Sequence, residues 1–99
     1  MAELVSASIS AENTFSDEAY LEGYFNLSIS GTFNATVTVQ RSFDRGVTWR
    51  DMDDFTAPVE EVGIEPEYCH YRVGIKTGNY TSGTVNIRIG HKLFTQASI

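Results

Sequence analysis

The stretch FNATVTVQRSFDRGVTW, residues 33–49, decides the fold class. Its first half alternates Phe33, Ala35, Val37 and Val39 with Asn34, Thr36, Thr38 and Gln40. Successive residues of an extended chain point to opposite faces, so this period of two gathers the four apolar side chains on one side of a strand. The second half carries turn chemistry. Asp44 can accept hydrogen bonds from nearby backbone N–H groups, Gly46 tolerates positive φ, and Trp49 brings a large apolar ring to cover the turn. The stretch predicts a half-buried strand from Phe33 to Arg41, a hairpin turn, and a short return strand around Trp49.

The same period recurs on both sides of it, as Phe25, Leu27, Ile29, as Cys69, Tyr71, Val73, Ile75, and as Val85, Ile87, Ile89. Weaker strand patterns lie at Val5, Ala7, Ile9 and from Val59 to Val62. Ser30-Gly31, Thr77-Gly78-Asn79 and Ser82-Gly83 punctuate these runs as turns. Seven or eight short strands with this spacing predict an all-β chain folded as a single antiparallel β-sandwich, Ig-like or jelly-roll-like. Residues 12–22 leave room for one helical turn. At 99 residues the chain is expected to be one domain over 1–99, with short arms at Met1 to Ser10 and His91 to Ile99.

Charge narrows the partners. The net charge of −6 is concentrated: Asp51, Asp53, Asp54, Glu60, Glu61, Glu65 and Glu67 fall in residues 51–67 with no Lys or Arg among them. Such a surface repels phosphate, so nucleic acid is not an expected partner; solubility is the plain reading of the segment, and a basic partner surface is the sharper one. On the second reading Asp51, Asp53, Asp54, Glu60 and Glu61 are the candidate partner contacts, and Asp51, Asp53 and Asp54 read as a solvated acidic loop. No apolar run reaches the roughly 20 residues of a membrane helix, and MAELVSASIS lacks the basic and apolar regions of a secretory signal. The sequons at Asn26, Asn34 and Asn79 are accordingly read as chance occurrences.

No catalytic, metal or cofactor constellation emerges. Cys69 is the single cysteine, so no intrachain disulfide forms, and its alternating position makes it a small core residue beside Tyr71, Val73 and Ile75. His70 faces the other way, which disfavours a Cys–His pair, and neither His70 nor His91 sits in a two-ligand spacing. The acidic run lacks the glycine and terminal glutamate of a calcium loop. Tyr20, Tyr24, Tyr68 and Tyr80 are the aromatics left for a surface.

Two resemblances add to this reading. Ser42, Asp44, Gly46, Thr48 and Trp49 match S-x-D-x-G-x-T-W, which resembles the Asp-box of sialidases and other β-propellers. In that family the motif is a structural turn remote from the catalytic centre and repeats once per blade; one copy implies a turn and not a propeller. A longer, looser likeness runs from Tyr24 to Gly90, through YFNLSISGTF, ATVTVQRSFDRGVTW and YRVGIKTGNYTSGTVNIRIG. It is similar to small β-sandwich structural proteins of tailed bacteriophages. That resemblance implies a non-enzymatic virion protein, made in the host cytoplasm: a capsid decoration or other head, neck or tail accessory protein. Its partners would be other virion proteins, with homo-oligomers as a further expectation. The alternative is a carbohydrate-binding or adhesion module contacting a glycan.

Overall fold

The computed structural model describes residues 2–91, and side chains from residue 5 onward. Nine strands follow one another in this range: β1 (Ala2–Ile9), β2 (Thr14–Phe15), β3 (Ala19–Ser30), β4 (Phe33–Ala35), β5 (Val37–Ser42), β6 (Arg50–Phe55), β7 (Val59–Ile75), β8 (Tyr80–Gly83) and β9 (Val85–His91). Every pairing is antiparallel. The main sheet runs β1-β9-β3-β7-β5-β6, with β2 added beside β7, and β4 pairs with β8 in a second, two-stranded sheet. The chain is an all-β antiparallel sandwich, as its alternation predicts. Among the described residues no helix is long and apolar enough to cross a membrane.

Three expectations are corrected. The run from Val59 to Val62 and the run from Cys69 to Ile75 belong to one strand of 17 residues, β7. It continues past Pro66, which has no N–H to give, because the β3–β7 ladder is already broken there. Leu21 pairs with Cys69 and Gly23 with Glu65, leaving Glu22 opposite residues 66–68. The run from Phe33 to Arg41, by contrast, is two strands in different sheets. Thr36 breaks it by donating its N–H to the carbonyl of Asn79, outside either ladder. The expected helical turn in residues 12–22 is β2 and the start of β3. Ser16 holds this segment on β7 twice, its N–H donating to the Val73 carbonyl at 2.8 Å and its Oγ accepting from the Val73 N–H at 3.1 Å.

The bulge divides the main sheet into two halves. In one, residues 59–65 of β7 lie beside β3, which carries β9 and then β1. In the other, residues 70–74 of β7 lie beside β5, which carries β6. Inner-face residues of both halves join one core: Ile9, Leu27, Ile29, Ile87 and Ile89 from the first, Val37, Val39, Cys69, Val73 and Ile75 from the second. Burying each large aliphatic of this set contributes about 1.5–3 kcal/mol relative to leaving it exposed. Cys69 is buried where the alternation places it, between Leu21 across the ladder and Tyr71 two residues on.

The expected N-terminal arm is an edge strand. Residues 2–9 pair with β9 along their length, and Ile9 enters the core. Of the C-terminal arm, His91 is the last residue of β9, and residues 92–99 lie outside the described residues.

Candidate binding surface

Residues 42–49 close into a turn held by two side chains. Ser42 Oγ donates to Asp44 Oδ1 at 2.7 Å and accepts from the Gly46 N–H at 2.8 Å, while Asp44 Oδ1 also accepts from the Thr48 N–H at 2.8 Å. Arg45 and Gly46 both have positive φ, 61° and 87°. At Gly46 that conformation strains any other residue, and a Cβ, 2.7 Å from Glu18 Oε2, would in addition make the Glu18 carboxylate shift. The hydroxyl of Ser42 and the N–H of Thr48 hold the Asp44 carboxyl at about 2, below the usual range. All of these contacts serve the turn.

Trp49 does something the turn pattern does not announce. Its ring centre lies 4.4 Å from the guanidinium carbon of Arg72 on β7, and the Phe15 ring centre lies 4.3 Å from the same carbon. Arg72 Nε donates to Gln40 Oε1, Gln40 Nε2 to Asp51 Oδ1, and Lys76 Nζ to Asp51 Oδ2, at 2.8, 2.8 and 2.7 Å. This polar row covers the outer face of β5, which explains why Thr38 and Gln40 are buried although the alternation leaves them outside.

The acidic residues are correspondingly not a loop. Asp51, Asp53 and Asp54 are on β6, at the edge of the sheet. Asp51 is engaged as above, and Asp54 accepts from Thr38 Oγ1 at 2.8 Å. Asp53, paired with Val39, faces the inner side. Glu60 accepts from Ser28 Oγ at 2.6 Å, and Glu61 lies with Asp53 at a groove of about 190 Å³ whose other walls include Phe25, Met52 and Phe55. Among the described residues no three His, Cys, Asp or Glu side chains gather in a metal-holding group.

The outer face of β3 and β7 presents a surface that charge counting misses. Tyr24 and Ile64 are directly paired and Val62 follows on the same face; beyond the bulge Tyr20 and Tyr68 meet edge to face at 6.1 Å between ring centres. These five are 53–77% exposed, whereas Tyr80, the fourth expected surface tyrosine, packs partly against the core. Exposed Glu22, Glu60 and Glu67 surround the patch. His70 is buried beneath it, stacked on Tyr20 at 4.2 Å and bonded through Nδ1 to Glu18 Oε1 at 2.8 Å. The alternation of β3 from Tyr20 to Asn26 holds the signal for this patch, but only the pairing with β7 brings Val62 and Ile64 beside it.

On the inner face Glu65 is buried, accepting from Arg41 Nη1 at 2.9 Å and from the Tyr71 hydroxyl. Burial, then the bond to Glu65, raises the Tyr71 pKa. Burial, with the Glu65 charge second, pushes the Cys69 thiol up to about 11. By sequence Glu65 belongs to the acidic segment; the structure buries it away from that surface. Comparison with protein-family models, with curated proteins and with solved structures gave no match.

Proposed function

We propose that this protein is a non-enzymatic accessory protein of a tailed-bacteriophage virion, docking on the capsid, neck or tail lattice. The observation that carries the docking part is the outer-face patch of Tyr20, Tyr24, Val62, Ile64 and Tyr68. Covering apolar surface of this kind stabilises a complex by about 25 cal/mol for each Å² removed from water. The acids around it and along β6 favour a partner whose rim is basic and steer its approach. The virion assignment rests on the likeness of residues 24–90 to phage-encoded sandwiches.

The test is sedimentation of virions assembled without the protein after adding it back. Saturable occupancy that falls about tenfold in the double variant Tyr24→Ser, Ile64→Ser, at unchanged melting temperature, supports the reading. The three exposed tyrosines favour one other reading, a glycan platform on which rings stack against sugar faces. A glycan array in parallel decides between them, since saturable binding to one glycan class with no virion binding overturns the virion reading.

A further inference from the structure

We propose that Arg72 forms a carboxylate-binding site on the outer face of β7, distinct from the tyrosine patch and beyond the docking function above. Its geometry is fixed from three sides. The guanidinium carbon lies over the Phe15 and Trp49 rings, 4.3 and 4.4 Å from their centres, and Nε is engaged by Gln40 at 2.8 Å. Each holder is itself held. Phe15 crosses so closely over Gly74 that a Cβ there would lie 2.5 Å from the Phe15 Cα. Trp49 follows the closed turn directly, and Gln40 is tied to Asp51.

What remains is the edge bearing the two terminal nitrogens. Among the described residues neither makes a hydrogen bond within the protein, and neither is a buried atom left unsatisfied, so both face solvent. The acid whose charge acts on Arg72 is Glu18, and its carboxylate is bonded to His70 instead. Burial disfavours the Arg72 cation, so the group has lost part of its hydration without gaining a bonded counterion. A planar carboxylate approaching in the guanidinium plane meets two parallel N–H donors at once, and the immobilised fork loses little conformational freedom in accepting it. Pinning β2 and the turn to the sheet would require the two ring contacts; it would not require the free edge.

The carboxylate can belong to an acidic sugar or to a peptide C-terminus. The experiment follows the Arg72 Nε–H and Trp49 Nε1–H NMR signals of the full chain during titration with acetate, D-glucuronate and N-acetyl-dialanine. Chloride and the methyl ester of glucuronate, at matched ionic strength, are controls. Saturable shifts with all or any carboxylate are expected, with Kd about 1–10 mM for one ion pair and at least about tenfold weakening in Arg72→Lys. Glu18→Gln, which removes a competing negative charge, is expected to tighten binding about threefold, and it tests the site should Arg72→Lys not fold. A glucuronate preference assigns an acidic sugar, and a dipeptide preference assigns a peptide end. Shifts that do not saturate, that chloride or the ester reproduces, or that Glu18→Gln leaves unchanged overturn the proposal.

Discussion

Arg41 and Arg72 lie one register step apart on paired strands, Arg41 opposite Tyr71 and Arg72 opposite Gln40, and their surroundings are opposed. Arg41 faces inward and meets buried Glu65; that hydrogen bond raises its pKa. Arg72 faces outward against two aromatic rings with no bonded carboxylate, and burial lowers its pKa. The inner cation is neutralised by the chain's own anion, whereas the outer one is positioned but not neutralised. A network closed on itself serves the fold, and one left open at an edge is available to a ligand.

Breaking the inner network should have the largest effect. Glu65→Ala leaves the Tyr71 hydroxyl unpaired and Arg41 without its anion, and should cost about 3 kcal/mol, read from the urea midpoint at unchanged slope. Arg41 is partly exposed, with 26% of its side-chain surface accessible, so water softens the loss. Replacing both partners with Met should cost less than Glu65→Ala alone, because no charge is then stranded. If the single and double variants are equally destabilised, the inner network is not a closed unit.

Next comes the support of the outer arginine. Gly74→Ala pushes a methyl into the backbone of residues 14 and 15, with contacts of 2.2 Å to the Thr14 carbonyl oxygen and 2.5 Å to the Phe15 Cα. The expected cost is about 2 kcal/mol, with protease cleavage appearing around residues 11–17 as β2 lifts. Loss of stability without displacement of Phe15 from Arg72, judged by NMR contacts, would separate the strand from the clamp.

A smaller effect is expected at the turn that delivers Trp49. Asp44→Ala should lower the melting temperature by a few degrees, in proportion to the turn hydrogen bonds lost. Asp44 is held near 2 in the fold, below the ordinary aspartate value of about 3.9. Its contribution is therefore complete above that ordinary value and disappears as pH falls through 2. Asp44→Asn should flatten the acid limb of stability between those values, and an unchanged limb would show that the turn does not depend on the charge. The least response of all is expected at Cys69, buried beside Glu65. A thiol reagent at pH 8 should leave the native protein almost unlabelled and react fully only in denaturant, because burial keeps the thiol protonated and shielded.

The sequence by itself determined what depends on neighbouring residues. Alternation of Cys69, Tyr71, Val73 and Ile75 placed the inner face, because a side-chain period of two survives whatever the strand pairs with. The turn from Ser42 to Trp49 was equally legible, since its bonds join residues two to four positions apart. The tertiary structure alone decided the rest. Whether Thr36 ends a strand depends on Asn79, and whether Pro66 does depends on a bulge facing Glu22. The setting of Arg72 joins Phe15, Gln40 and Trp49 from separate parts of the chain, and Glu65 becomes a core residue only because Arg41 and Tyr71 arrive to satisfy it. Local conformation follows from backbone sterics and short-range hydrogen bonds; the partner that lets a charge or a polar strand residue be buried comes from the long-range pairing of the sheet.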